Sequence, residues 1–295
     1  METQKFRGTF TAIITPFQEN GAIDLLTFRE LIEKQISAGV EGIVVLGTTG
    51  ESPTITPDEH KNLIAEAVRI VSGRVLVIAG TGSNSTAEAI EYSQSAEQSG
   101  ADGLLQVTPY YNKPTQKGLY EHFSTIAKAT KLPIILYNIE GRCGVNITTE
   151  TVIKLSQIEN IVAVKDASGN LQQVADVINK TPDNFSVLTG NDDQIVDTIK
   201  LGGAGVVSVI SNILPQETIK LTNLALLGNI AEAEEKMEQL SEFIKNLFIE
   251  TNPQPIKTIM AREGLCQEIF RLPMTTMLEE NKEKLFKSWE NLNLK

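Results

Sequence analysis

A lysine ends a short apolar run in the middle of the chain. Residues 161–164 are all apolar and lead directly into Lys165, after which the chain turns polar at Asp166 and Ser168. Such a run predicts a strand that is buried on both faces. Burial disfavours the charged form of an amine and makes it a better nucleophile, as Schiff-base formation with a carbonyl substrate requires. The alternative is a strand-end lysine whose long side chain reaches solvent.

Two threonines follow another apolar run, at residues 47–52. The flanking glycines permit a tight turn, in which the hydroxyls of Thr48 and Thr49 and nearby backbone N–H groups converge on a carboxylate or an oxyanion. An ordinary turn with a threonine cap is the alternative interpretation of the same residues.

Three tyrosines are candidate proton carriers, because a positioned phenol acts as a general acid or base. Tyr110 and Tyr111 are adjacent in a predicted loop at 108–114. In an extended loop they point in opposite directions, so one is a packing or interface residue and the other a proton carrier. Tyr137 stands at the end of a third apolar run, at 133–137.

Arg142 lies in a loop between glycines at 141 and 144. A guanidinium binds a carboxylate through two parallel hydrogen bonds, so this position suits a substrate carboxylate. A surface arginine is the alternative. Together, a carboxylate binder, a phenol and a nucleophilic amine are the groups that a Schiff-base aldolase acting on a 2-oxo acid requires.

The elements that must position these residues alternate regularly between strand and helix. We predict eight strands, each followed by a helix, within about 225 residues, which indicates an α/β protein with a (β/α)8 TIM barrel. A doubly wound sheet is the alternative, but its glycine-rich first turn is missing after the first strand. The predicted strands are 8–15, 42–46, 75–79, 102–107, 133–137, 161–165, 185–189 and 205–209, and the predicted helices are 24–38, 57–71, 86–98, 115–129, 148–155, 171–179, 194–201 and 215–226.

The pattern becomes purely helical after the barrel. One amphipathic helix is predicted at 231–248, a second runs to about residue 264, and a third covers 279–292. We therefore expect a catalytic barrel at residues 1–228 and a C-terminal three-helix appendage at residues 229–295.

Composition excludes several classes of function. The formal net charge is −11 and no cluster of lysines and arginines stands out, so nucleic acid and anionic membranes are not expected partners. No apolar run reaches the ~18 residues of a membrane span. The two cysteines do not suggest a disulfide framework. With no signal peptide visible, a cytoplasmic location is expected.

Six motifs together resemble the dihydrodipicolinate synthase family, over essentially the whole chain. They lie at 47–52, 109–120, 136–138, 164–170, 190–192 and 271–273. The family belongs to the pyruvate-dependent class I aldolases, which are tetrameric (β/α)8 barrels. The resemblance implies condensation of pyruvate with L-aspartate 4-semialdehyde in the diaminopimelate route to lysine, by a homotetramer built as a dimer of dimers. It implies no cofactor and no metal.

The resemblance also implies catalytic roles by position. Lys165 would form the Schiff base with pyruvate, and Tyr137 would transfer protons at the pyruvate carbon. Thr49 would link Tyr137 to Tyr111, which in the family reaches in from the neighbouring subunit. Thr48 and Thr49 would also hold the pyruvate carboxylate.

Further positions would bind the substrates. Arg142 would hold the carboxylate of the semialdehyde at the mouth of the barrel, and Gly190 and Val207 would line the pocket. Two neighbours of the arginine depart from the family pattern, because Glu140 replaces a usual proline and Cys143 a usual threonine. We expect the acid at 140 to pair with the arginine and weaken its hold on the second substrate.

A regulatory site for L-lysine is the last implication of the resemblance. A carboxylate suits the ammonium of lysine, and amide and phenol groups suit its carboxylate. Two of the residues have an alternative interpretation. Glu88 is a favourable charge early in its helix, where it interacts with the helix dipole. His60 is a solvated helix residue. Pro57 stands where lysine-sensitive members often have histidine, so weaker inhibition is expected. The residues concerned are Ser52, His60, Asn84, Glu88 and Tyr110.

Rival functions stay open to different degrees. A metal-dependent aldolase usually needs several histidines, but the chain has only His60 and His122, without helix-face spacing. A phosphate-binding barrel is disfavoured by the acidic residues at 192–193. N-acetylneuraminate lyase and 2-keto-3-deoxy-sugar acid aldolases share the lysine and Tyr137 but tend to lack the threonine pair together with Arg142. A non-catalytic 2-oxo acid binding protein would not need the hydroxyl relay.

Overall fold

The computed structural model describes residues 6–292 and contains a closed barrel of eight parallel strands in sequence order. The last strand closes the barrel by pairing with the first, for example Val207 with Phe10. The predicted (β/α)8 fold is therefore confirmed. No helix within the described residues is long and apolar enough to cross a membrane. The strands are Gly8–Ala12 (β1), Gly42–Val45 (β2), Leu76–Gly80 (β3), Gly103–Val107 (β4), Ile134–Asn138 (β5), Ile161–Asp166 (β6), Ser186–Thr189 (β7) and Gly205–Ser208 (β8).

The helices follow the strands as expected and continue beyond the barrel. Those that accompany the barrel are Leu25–Ala38 (α1), Pro57–Val71 (α2), Thr86–Gln98 (α3), Gln116–Lys128 (α4), Glu140–Cys143 (α5), Thr149–Leu155 (α6), Leu171–Lys180 (α7), Ile195–Lys200 (α8) and Pro215–Leu226 (α9). The C-terminal helices are Ile230–Asn246 (α10), Gln254–Arg262 (α11) and Glu279–Glu290 (α12).

Local capping chemistry sets several of these bounds. The side chain of Asp24 accepts a hydrogen bond from the backbone of Thr27, so the aspartate caps α1 and is not part of it. Helix α2 begins with a capping box, in which Thr56 and Glu59 each bond the backbone of the other. The predicted bounds of α2, α3 and α9 match the structure.

Strand β1 ends at Ala12 and is shorter than the predicted 8–15. Beyond this point the side chain of Asn212, and not a neighbouring strand, forms hydrogen bonds with the backbone. The N–H of Ile14 donates to Oδ1 of Asn212 at 3.1 Å, and Nδ2 of Asn212 donates to the carbonyl of Ala12 at 2.8 Å. The backbone groups of this segment are thus satisfied without a ladder. A contact across 198 residues of sequence lies outside any local pattern.

A short helix that we did not predict separates β5 from α6. Helix α5 covers four residues, Glu140–Cys143, and ends at Gly144 in the left-handed conformation with φ 72°. The arginine loop of the sequence is therefore one turn of helix. This turn fixes the direction in which Arg142 leaves the backbone.

The C-terminal helices share the hydrophobic core that lies between the strands and their helices. Phe243 of α10 and Ile256 and Met260 of α11 are fully buried in this layer. A second cluster fills the barrel interior and contains Phe10, Tyr137 and Val207, among others. The C-terminal helices are therefore packed against the barrel.

Candidate active site

Lys165 and Tyr137 stand side by side at the carboxyl ends of neighbouring strands. Lys165 lies in β6 with 5% of its surface exposed, and its register partner in β5 is Tyr137. The lysine Nζ lies 4.1 Å from the centroid of the tyrosine ring. A cation over a phenol face is attracted by the ring quadrupole. The solvent-exposed alternative for Lys165 is therefore wrong.

Gly190, directly after β7, borders the stem of Lys165. A Cβ added at this glycine would lie 2.6 Å from the lysine Cε and 3.0 Å from the Ala167 Cβ, so a larger residue would displace the lysine. The Gly190 N–H also donates to the carbonyl of Asp166 at 2.7 Å, which holds the backbone in place. Val207 of β8 is fully buried in the barrel interior, in the cluster that contains Tyr137.

The two threonines form a single tight turn, Thr48–Gly50, after β2. Thr49 is buried, and Glu51, the residue after the turn, has the left-handed φ of 55°. The Glu51 carboxylate accepts a hydrogen bond from Nζ of Lys257 at 2.7 Å, and both side chains are almost completely buried. An ion pair thus connects the turn to helix α11.

Sequence reasoning missed Asn252, which bonds two of the predicted site residues. Its Nδ2 donates to Oγ1 of Thr49, and its backbone carbonyl accepts from Nη2 of Arg142, both at 3.0 Å. In the sequence Asn252 is only a polar residue directly before Pro253. Its burial, with 6% exposure, is visible in the structure alone.

Arg142 does not pair with Glu140, so the expected competition is wrong. No ion pair joins them within residues 6–292, and the guanidinium instead bonds the carbonyl of Asn252. Residues two apart on a helix do not face each other, which explains why the acid cannot reach it. Cys143 is buried, and burial raises the pKa of its thiol to about 11, so the thiol is neutral near pH 7.

The adjacent tyrosines differ in exposure. Tyr111 has 91% of its surface exposed and the left-handed φ of 68°, whereas Tyr110 is 38% exposed. Burial is the main reason that the pKa of the Tyr110 hydroxyl lies above its usual value. In the described part of the chain neither Tyr111 nor Tyr137 is hydrogen-bonded to Thr49, so the predicted relay stays a prediction.

One cavity of about 480 Å³ connects the mouth of the barrel with the predicted regulatory residues. A single ligand in one part of it would therefore lie close to groups in the other part. Asn84 is not among its lining residues, but its Nδ2 donates to the carbonyl of Tyr110 at 3.2 Å. The predicted site residues that line the cavity are Thr48, Ser52, His60, Glu88, Tyr110, Tyr137 and Arg142, with Pro57 and Cys143 beside them.

His60 is part of this cleft and is not a solvated helix residue. Its Nε2 is hydrogen-bonded to the carbonyl of Gly80 at 2.8 Å, and its ring stacks on Tyr92 at 4.1 Å between centroids. Burial is the main reason that the pKa of His60 lies below its ordinary value, so the ring is neutral near pH 7. Glu88 is exposed to the cleft and accepts a hydrogen bond from Ser83.

Asp192, one of the acids that follow β7, is buried and accepts hydrogen bonds from the backbone. Its Oδ2 accepts hydrogen bonds from the N–H groups of Val209 and Ile210, each at 3.0 Å. Burial raises the pKa of this carboxyl. No group of three or more potential metal ligands was found among residues 6–292.

Known proteins with similar sequences share this architecture along their whole length. A profile of the Dihydrodipicolinate synthetase family matches residues 5–291. The 4-hydroxy-tetrahydrodipicolinate synthase of Acetivibrio thermocellus is 48% identical over 289 residues, which are 98% of each chain. The crystal structure of dihydrodipicolinate synthase from Aquifex aeolicus is 46% identical with a TM-score of 0.96, and the match covers 98% of this chain and 99% of that one.

Two further solved structures of the same kind carry small molecules. One is a chloride-inhibited dihydrodipicolinate synthase from Acinetobacter baumannii complexed with pyruvate, 38% identical, with a TM-score of 0.96 over 98% of this chain and 99% of that one. The other is the enzyme from Cyanidioschyzon merolae with lysine bound, 39% identical, with a TM-score of 0.96 over 99% of this chain and 100% of that one. With a matching family profile and relatives close to half identical over nearly the full length, this chain belongs to the dihydrodipicolinate synthase family.

Proposed function

We propose that this chain catalyses the reaction of a 4-hydroxy-tetrahydrodipicolinate synthase, the condensation of pyruvate with L-aspartate 4-semialdehyde. The observation that carries the proposal is the buried Lys165 amine, 4.1 Å from the Tyr137 ring at the catalytic end of the barrel. The relatives named above support the substrates, since they are synthases of this name and one of them binds pyruvate.

Each step assigns a role to residues of this chain. The Lys165 amine attacks C2 of pyruvate, and loss of water leaves an imine. Tyr137 takes up and returns the protons, and removal of a C3 proton gives an enamine whose C3 attacks the aldehyde carbon of the second substrate. The amino group of that substrate then attacks the imine carbon, which closes the ring and frees Lys165.

The surrounding residues bind and orient. Thr48 and Thr49 hold the pyruvate carboxylate, and Gly190 leaves room for the lysine stem. Arg142 is exposed at the cavity mouth and offers its guanidinium to the semialdehyde carboxylate. A sugar acid substrate would present hydroxyl groups at that place, which is why we favour the amino-acid semialdehyde over the substrates of related aldolases.

A coupled assay and a trapping experiment test the proposal together. Purified protein with pyruvate and aspartate semialdehyde should turn over, and borohydride with pyruvate should add one reduced adduct per chain, mapped to Lys165 by mass spectrometry. Pyruvate binding without turnover would instead indicate the non-catalytic 2-oxo acid binding protein. An adduct on another lysine would contradict the assignment of the nucleophile.

We further infer that the protein binds L-lysine as a regulator and assembles into a homotetramer. L-lysine is proposed to bind in the cleft at Glu88 and Tyr110, supported by the lysine-bound relative. The highly exposed ring of Tyr111 suits a contact with a second subunit in a homotetramer, where it would reach the partner's site. We retain the division into a catalytic barrel at 1–228 and a helical part at 229–295, and a cytoplasmic location, which suits two unpaired cysteines.

A further inference from the structure

We propose that Asn138 is a positioning residue for the proposed catalytic pair, Tyr137 and Lys165. It acts from the opposite face of the sheet, through a hydrogen bond with Asp166 that fixes how β5 and β6 are aligned. This inference rests on the proposed function, because it concerns the same amine and phenol. Asn138 ends β5 and Asp166 ends β6, and the two residues are register partners, one position beyond the catalytic pair.

A side-chain hydrogen bond joins the two strands directly behind the catalytic pair. Nδ2 of Asn138 donates to Oδ2 of Asp166 at 3.0 Å, and both side chains are buried. Successive side chains of a strand point to opposite faces of the sheet. Because Tyr137 lies in the barrel interior, its neighbour Asn138 points outward, toward the surrounding helices. The bond therefore holds the strands together without occupying the catalytic side.

A bulge interrupts the pairing of β5 and β6 at the other end of these strands. Ile134 pairs with Ile161, whereas the next residue, Ile135, pairs with Ala163, so β6 contains one extra residue there. A shift of one residue in a strand pair turns every side chain of the shifted strand to the other face. The same shift above the bulge would remove Lys165 from the barrel interior. A side-chain bond at the strand ends opposes such a shift.

The Asp166 carboxylate requires a donor at position 138. Its Oδ1 accepts from the N–H of Ser168 at 3.0 Å and from the Ser168 hydroxyl at 2.6 Å, and its Oδ2 accepts from Asn138. An ionised carboxylate can only accept hydrogen bonds, whereas an amide both donates and accepts. The bond between the strands therefore needs an amide on one strand and a carboxylate on the other.

The same amide also closes the base of the segment 139–146, which carries Arg142. Oδ1 of Asn138 accepts from the N–H of Ile147 at 2.9 Å, and Nδ2 donates a second bond, to Oδ1 of Asn146 at 2.7 Å. A variant at position 138 therefore disturbs both this segment and the strand pair. A variant at Asp166 leaves the two bonds at the base of the segment in place, so it isolates the effect on the strand pair.

The test is a double-mutant cycle on the two residues. Asn138→Asp places two carboxylates side by side, and Asp166→Asn places an NH2 group opposite a donor. We expect each single variant to lower kcat about 10- to 10²-fold, as for a displacement of reacting groups by about 1 Å. In Asn138→Asp/Asp166→Asn the amide and the carboxylate exchange places and the bond between the strands is restored. The kcat of this double variant should therefore lie well above the value obtained by multiplying the two single losses.

Trapping of the imine gives a second readout, which a loss of stability alone does not change. With pyruvate as the only substrate, the rate at which borohydride adds the adduct to folded protein should fall in both single variants and recover in the double variant. If Asn138→Asp does not fold, Asp166→Asn alone carries the test by the same two measurements.

Gln106→Leu is the matched control. Gln106 of β4 is also a buried strand amide, and its Nε2 donates to Oγ1 of Thr81 at 2.7 Å and to Oγ of Ser93 in α3 at 2.8 Å. These bonds do not involve β5 or β6. This variant should keep the parent kcat and the parent rate of trapping.

The outcomes separate this inference from the function on which it rests. An inactive parent protein would overturn the proposed function itself. With an active parent, a folded Asp166→Asn of parent-like kcat and trapping rate would overturn the positioning role. So would single losses that simply multiply in the double variant, or an equal loss in Gln106→Leu. Losses in the single variants that recover in the double variant support it.

Discussion

At the scale of single residues, chemistry depends on which side chains strand pairing brings together. Lys165 and Tyr137 are register partners in adjacent parallel strands, so the sheet itself sets their separation. Sites that project from strands are held more rigidly than sites on loops. The amine and the phenol are therefore positioned before any substrate arrives.

The first prediction concerns the phenol. Tyr137→Phe should keep the fold, since the ring still fills the barrel interior, but should lower kcat about 10²- to 10⁴-fold because the proton carrier is lost. Steady-state kinetics on folded protein, checked by circular dichroism, measures this. Parent-like turnover would remove Tyr137 from the mechanism.

The second prediction concerns substrate binding by Arg142. Arg142→Ala should raise KM for the semialdehyde about tenfold to a hundredfold, the range for a lost charged hydrogen bond, and change KM for pyruvate much less. Glu140→Gln is the control, because within the described residues this exposed acid has no ion pair with the arginine, which bonds the carbonyl of Asn252. Equal effects on both substrates would contradict the assignment.

At the scale of elements, a buried ion pair connects helix α11 with the Thr48–Gly50 turn. Lys257 of α11 and Glu51 after the Thr48–Gly50 turn are 206 residues apart in sequence and both are buried. A buried charge that loses its partner is strongly destabilising, whereas removing both charges is much less so. Substitutions in this pair therefore test directly whether it attaches helix α11 to the Thr48–Gly50 turn.

The third prediction follows from that asymmetry. Lys257→Met should destabilise the protein by about 3–5 kcal/mol, because the Glu51 carboxylate is left buried and unpaired. The double variant Lys257→Met/Glu51→Leu should recover much of this loss. Urea unfolding at one fixed protein concentration measures both.

An exposed pair supplies the comparison for this prediction. Lys61 and Glu91 form an ion pair at 2.8 Å with 37% and 63% of their side chains exposed. Lys61→Met should cost at most about 1 kcal/mol. A similar small cost for Lys257→Met would mean that α11 is not attached to the turn through this pair.

At the scale of the whole molecule, one cavity joins residues that we propose to be catalytic with residues that we propose to be regulatory. Tyr110 lines it together with Tyr137, and the adjacent Tyr111 has 91% of its surface exposed. A ligand held between Glu88 and Tyr110 would therefore lie near Tyr137, the proposed proton carrier. We therefore expect the proposed regulation to lower turnover without competition with pyruvate.

The fourth prediction concerns that regulation. Isothermal titration with L-lysine should show binding, and a rate assay at saturating pyruvate should show lower kcat. Glu88→Ala should abolish binding and keep basal turnover, because the carboxylate pairs with the ligand ammonium. Pro57→His should tighten binding by adding a donor where proline has none. No binding at millimolar lysine would remove the regulatory site.

Local sequence determined the fold class and the residues at the strand ends. The period of apolar residues, the caps and the glycine breaks are local properties, so α2, α3 and α9 were predicted with their bounds. Lys165 and Tyr137 were recognised because each ends an apolar run. In a parallel barrel all such ends meet at one face, so their proximity followed from the fold class.

Only the tertiary structure decided how these residues are held. The partners of Thr49 and Glu51 lie more than 200 residues away, and Arg142 bonds a carbonyl 110 residues away instead of the nearby Glu140. The spacing of apolar residues along the chain does not predict such contacts, because they depend on how the C-terminal helices pack against the barrel. The physical reason is that hydrogen bonds and burial act through space, whereas the patterns that can be recognised in a sequence act along the chain.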